Sequence, residues 1–212
     1  MLKGCDDPYF SLEGSKAFIK LKKDYIPGLG DTADLIIIGG RRDARDEQEP
    51  KAGKLWWTSF CIGCVENKDE VSRFNLKPRL RIIDMIDRHG MSKGDIVYLN
   101  RHGYFRRVPF AKSTPEFDII VEPGQGLQPS ELFSHPFTVD VIGAGFDKPA
   151  NAGYFTLRFP RVLKVHDDRS FRDTVNFSEL QEMAKRCLEI PDDPEGEEES
   201  WLRRLRSKGY PA

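Results

Sequence analysis

The sequence predicts a mainly β chain that closes into a small barrel with one or two short helices. Three observations point there. Short β-branched or aromatic runs recur between residues 35 and 165, turn residues separate them, and only two segments carry helical spacing. Five or six short strands with one internal helix match the strand count of an OB-fold.

Taken in order, Leu35–Ile38 ahead of Gly39-Gly40 is a short apolar run and reads as a buried strand. Before it, IPGLGDTAD (26–34) has turn chemistry and reads as a hinge; after it, 41–54 reads as a polar loop. WWTSFCIGCV (56–65), DIVYLN (95–100) and FDIIVE (117–122) read as strands. FTVDVIGAG (137–145) alternates, with Phe137, Val139 and Val141 on one side. YFTLRFPRVLKV (154–165) is a strand that Pro160 interrupts. In RLRIIDMIDRHG (79–90), Leu80, Ile83 and Ile86 fall at i, i+3 and i+6 and Gly90 follows, which predicts a helix. A second helix is expected from an N-cap at Ser178 to about Leu188, with Glu179 and Glu182 in its first turn.

Composition narrows the function classes. Hydrophobic residues make up 39% and charged residues 32% of the 212, a globular balance. The formal charge of −1 argues against a nucleic-acid coat protein but leaves room for a local basic face. No apolar run approaches membrane-spanning length and no signal-peptide core opens the chain, so membrane and secreted readings drop out. Four cysteines without a secretory signal read as reduced thiols of a cytosolic or nuclear protein. The segment 191–200 is strongly acidic and reads as a solvated linker.

Cys61-Ile-Gly-Cys64 is a lone CxxC. Residues three apart on a strand point to opposite faces, so two packed thiols are expected rather than a zinc pair. The four histidines are scattered and suggest no triad. Two basic segments stand out. In FIKLKKDY (18–25), Lys20 and Lys22 project side by side from a strand toward one anion. In RFPRVLKVHDDR (158–169), Arg158, Arg161, Lys164 and Arg169 are of the type that contacts phosphate oxygens, and Asp167 and Asp168 can orient a guanidinium. The residues alone point to polyphosphate or nucleic-acid contact.

Together these segments resemble ATP-dependent DNA ligases of the eukaryotic type. FIKLKKDYIPGLGDTADLIIIGG resembles motif V and the passage into the OB-fold, with Phe18 where Trp is usual. FTLRFPRVLKVHDDR resembles motif VI, with Asp168-Arg169 in place of Asp-Lys, and is most similar to the DNA ligase IV branch. The resemblance runs from Met1 to about Arg186. It implies the last strands of a nucleotidyltransferase (adenylation) domain and hinge over 1–32, an OB-fold domain over 33–186, and an acidic tail over 187–212.

The resemblance also implies nick sealing through enzyme–AMP and DNA–AMP intermediates, in DNA repair or recombination in the nucleus. ATP and Mg²⁺ would be cofactors, and nicked double-stranded DNA the partner. Nucleotide contacts would come from Lys3 at the end of motif IV, Lys20 and Lys22, and from Arg158, Asp168 and Arg169. Arg41, Arg42, Arg161 and Lys164 would contact DNA. No K-x-D-G occurs. The nucleophilic lysine and the metal ligands are therefore expected upstream of Met1, and this chain alone is expected to be inactive because the first step is covalent. The rivals are a non-catalytic OB-fold DNA-binding module and a C-terminal domain like that of messenger-RNA capping enzymes.

Overall fold

Leu35, Ile36, Ile37 and Ile38 are each fully buried, so their strand needs apolar cover on both faces. The computed structural model describes residues 31–43, 55–188 and 203 and supplies that cover as two clusters. The strand is β1 (Asp31–Arg41), followed by β2 (Ser59–Val65), α1 (Lys68–Phe74), β3 (Arg79–Asp87), α2 (Lys93–Tyr104), β4 (Arg107–Pro109) and β5 (Asp118–Ile120). Then come β6 (Glu131–Gly143), β7 (Phe146–Asp147), β8 (Thr156–Leu157), β9 (Arg161–His166) and α3 (Phe177–Leu188).

Seven strands form one sheet in the order β4-β6-β1-β2-β3-β5, with β9 also on β6, and β7 and β8 form a small hairpin pair. Pairing is antiparallel except between β3 and β5. One cluster (Ile36, Ile38, Cys61, Leu80, Ile82, Phe117, Leu132) draws its buried residues from strands and loops, with Phe171 packed against it. The other (Leu35, Ile37, Phe60, Cys64, Phe133, Val139) packs against Leu99 of α2 and Leu180 and Ala184 of α3. A mainly β, curled half-barrel with three helices is the OB-type architecture expected.

Several expectations change. Residues 79–87 are strand, not helix. Gly63 pairs with Ile82 and Ile62 with Asp84, so Ile83 is an extra, bulged residue. Leu80 and Ile82 join one cluster, Ile83 and Ile86 the other, and the bulge mimics the i, i+3, i+6 spacing. The buried Tyr154 hydroxyl donates to the Ile83 carbonyl at 3.1 Å. Residues 95–100 are helix, not strand. Ser92 Oγ accepts from the Asp95 amide at 3.1 Å, and Ile96, Leu99, Asn100 and Gly103 face the core at helical spacing. Helix α3 is capped by Asn176, not Ser178: Asn176 and Glu179 exchange side-chain-to-backbone bonds of 2.8 and 2.7 Å. Helix α1 has no counterpart in the expected elements.

Asp31–Asp34 continue β1 against β6 rather than forming the end of a hinge. The rest of that stretch, residues 44–54 and the acidic tail lie outside the described residues. Cys61 and Cys64 occupy different clusters, on opposite faces of β2 as expected. Opposite Gly39 the strand β6 loops out, advancing from Leu132 to Phe137 while β1 moves only from Gly39 to Ile37. A Cβ at Gly39 would collide with the Glu131 carbonyl. The excursion Ser134–Pro136 becomes the wall of a groove.

Candidate nucleic-acid interface

Strand β9 carries the basic motif across the edge of the half-barrel. Its register against β6 sets Val162 opposite Val141 and Val165 opposite Val139, which points their side chains inward. Lys164, opposite Asp140, and Leu163 remain exposed.

Before β9, the hydrogen bonds of Arg158 among the described residues are backbone ones, to Gly145 and Ala144 at 2.8 Å each. Its guanidinium carbon lies 5.0 Å from the centre of the Phe159 ring. Phe159 is 65% exposed and has φ of +51°, a conformation a bulky residue adopts only where its surroundings impose it. Pro160 follows and restricts it further.

After β9 the environment is polar and paired. Asp34 and Asp140 are directly opposed cross-strand neighbours, two carboxylates on adjacent strands. Burial, then Asp140, raises Asp34 above the usual carboxylate range. His166, 4% exposed, donates from Nε2 to Asp140 Oδ1 at 2.7 Å, and its Nδ1 lies 3.7 Å from Asp168. Arg169 reaches Asp34 at 3.5 Å and Asp140 at 4.0 Å. Beside it opens a groove of about 580 Å³ lined by Arg106, Ser134, His135, Asp167, Arg169 and Ser170 over Leu80, Phe117 and Phe171.

The candidate residues therefore separate. Asp168 and Arg169 lie together, but Arg158 sits at the far end of β9, whose six residues cover about 20 Å. Arg158 and Arg169 thus stand on opposite flanks of the strand. Arg161 and Lys164 share the strand between them. Arg41 and Arg42 lie at the other end of β1 from the rung of Arg161, and Arg41 donates to the Gly126 carbonyl at 2.8 Å. Lys3, Lys20 and Lys22 fall outside the described residues. Sequence reasoning passed over Phe159, Asp34, Asp140 and His166. A Phe next to Pro between two arginines was visible as a signal; the cross-strand register was not. Among the described residues no group of three or more His, Cys, Asp or Glu side chains could share a metal ion, and no helix is long and apolar enough to cross a membrane.

No family model matches the chain. It is similar to DNA ligase 1 of Saccharomyces cerevisiae, 26% identical over 186 residues, which cover 86% of this chain and 22% of the yeast protein. A DNA ligase of Aeropyrum pernix is 27% identical over 179 residues, covering 84% of this chain and 27% of that protein. DNA ligase 4 of Coprinopsis cinerea is 25% identical over 186 residues, covering 83% and 17%. The chain thus spans about a fifth of the length of the curated relatives it matches. Eukaryotic and archaeal ligases named 1, 3 and 4 match alike, so the similarity is to DNA ligases as a class and does not single out the ligase IV branch.

Proposed function

We propose that this chain is the OB-side, C-terminal region of an ATP-dependent DNA ligase and that β9 with its two flanks is its working edge. The observation that carries the reading is the arrangement of the motif. One strand presents an exposed Arg158–Phe159 step at its start and the Asp168–Arg169 pair beside a groove at its end. The similarity to DNA ligases over 86% of the chain supports it.

Each end has its own task. Arg158, Arg161 and Lys164 neutralise backbone phosphates, and Phe159 lies against the minor groove beside a nick. Such contacts carry no base code, which suits an enzyme that seals any sequence. Asp168 and Arg169 orient the polyphosphate of ATP. In the ligase reaction a lysine Nζ bonds to the α-phosphorus and pyrophosphate leaves; the AMP passes to the nick 5′-phosphate; the 3′-hydroxyl then displaces AMP and closes the phosphodiester. Lys20 and Lys22 would stabilise charge on the α-phosphate throughout, with Lys3 a further contact. None of these residues is assigned to magnesium. Repair or recombination in the nucleus is the setting this reading implies.

The test has two parts. In a ligase joining this segment to a K-x-D-G-bearing adenylation domain, Arg169→Ala should impair self-adenylation and largely spare sealing of a pre-adenylated nick. Lys20→Ala should slow both, by on the order of 10²–10³. Equal loss of both reactions in Arg169→Ala would move that residue from ATP to DNA. A second reading, an OB module that holds DNA without nucleotide chemistry, draws on one observation: Arg169 is already paired with Asp34. Under it, Arg169→Ala leaves self-adenylation unchanged.

A further inference from the structure

Helix α2 has a second face that the fold leaves bare. Ile96, Leu99, Asn100 and Gly103 turn inward, whereas Val97, Arg101, Tyr104 and Phe105 line an open, mostly apolar groove with Leu55 and Trp56. Trp56 is 52%, Val97 59% and Phe105 84% exposed, a concentration of large apolar side chains on one site. The floor is rigid: Asn100 Oδ1 accepts the amides of Trp56 and Trp57 at 2.8 and 3.0 Å, and its Nδ2 donates to the Trp57 and Ile96 carbonyls.

The rim is cationic. Arg107 lies 4.0 Å from the centre of the Tyr104 ring and 4.8 Å from that of Trp56. Those rings are 5.0 Å apart, so the guanidinium rests against two aromatic rings at once. Neither Arg101 nor Arg107 has a carboxylate partner among the described residues, and no carboxylate lines the groove. An apolar floor does not suit a phosphate backbone; it suits a peptide with an apolar anchor, and the bare arginines call for that peptide to be acidic.

This chain contains such a peptide. Asp192, Asp193, Glu195, Glu197, Glu198 and Glu199 precede Trp201 and Leu202. It starts just past the end of α3 at Leu188, and the twelve residues 189–200 can reach about 40 Å when extended, comparable with the width of a domain this size. We propose that the α2 groove is the docking site for this chain's own acidic segment, with carboxylates on Arg101 and Arg107 and Trp201 against Val97 and Phe105. This inference is independent of the ligase reading.

The test uses the full chain in two forms, native and with Glu197→Gln, Glu198→Gln, Glu199→Gln and Trp201→Ser combined. The probe is a fluorescein-labelled peptide of residues 195–202, followed by anisotropy. The neutralised chain should bind the probe and the native chain should bind it at least roughly tenfold more weakly, because its own segment competes. Arg107→Glu with Arg101→Glu in the neutralised chain should weaken binding by about tenfold or more, and added salt should weaken it further. Val97→Ser, an exposed change that leaves the arginines in place, should also weaken it, with unchanged far-ultraviolet circular dichroism showing that the fold is intact. Absence of binding, equal binding to native and neutralised chains, or binding indifferent to these substitutions would each overturn the proposal. Competition that appears only as the native chain dimerises would also overturn it, assigning the groove to a second copy.

Discussion

The two ends of β9 carry similar charges in opposite settings. At its start Arg158 has a ring beneath it and no ion pair among the described residues, and Phe159 stands out in a left-handed conformation. At its end Arg169 is met by two carboxylates, one of them locked to a buried histidine. Exposed residues contribute little to folding and are free to meet a ligand, whereas the paired end is part of the fold and reaches a ligand only by exchanging partners. One motif, contiguous in sequence, therefore combines an exposed surface with a surface that is held by the fold.

The largest effect should come from breaking the held end. Asp140→Ala leaves His166 buried without its partner and should cost about 2–3 kcal/mol in urea denaturation, while Arg158→Ala should stay within about 0.5 kcal/mol. Equal costs would erase the distinction between the ends. Next, Phe159→Ala should weaken binding to a nicked duplex by about tenfold, or about 1.4 kcal/mol, with urea stability little changed.

A carboxylate with no cation partner among the described residues sharpens the comparison. Burial pushes Asp84 up to about 6, against the hydrogen bond it accepts from the Met85 amide. The folded state therefore holds this proton more tightly than the unfolded state. Stability associated with it is complete below about pH 4 and is lost as pH rises to about 6. Asp84→Asn should raise stability at pH 7 by about 1–2 kcal/mol, allowing for partial exposure, and bring no gain near pH 4. Smallest of all, Phe159→Gly should stabilise the chain by about 0.5 kcal/mol by relieving the positive φ, while matching the alanine variant in DNA binding. The thiols offer a further contrast. Burial raises Cys61 and Cys64 to about 12, so a thiol reagent at neutral pH should modify the exposed Cys187 long before either of them.

Where the sequence was legible, the signal was local. Leu35–Ile38 reads as a buried strand because four apolar β-branched or aliphatic residues in a row need cover on both sides, and Pro160 marks the break before β9 because it cannot donate to a ladder. The helix at Lys93–Tyr104 was also written locally, in the Ser92–Asp95 cap, but the β-rich run Ile96–Tyr98 masked it. The strand at Arg79–Asp87 could not be read, because a single bulged residue, Ile83, is defined only by what β2 pairs with.

The same division runs through the site. By itself the sequence determined which residues carry charge and in what order: Arg158, Arg161, Lys164, Asp168 and Arg169 on and beside one extended run, whose resemblance to a ligase motif needs no coordinates. Only the tertiary structure decided which of them lie together. It separates Arg158 from Arg169 by the length of a strand. It also brings Asp34 from β1 and Asp140 from β6 to an arginine that is 135 residues from the first and 29 from the second. The physical reason is that charge and side-chain type are properties of a residue, whereas partnership in a sheet is a property of register, which strands far apart in sequence settle between them.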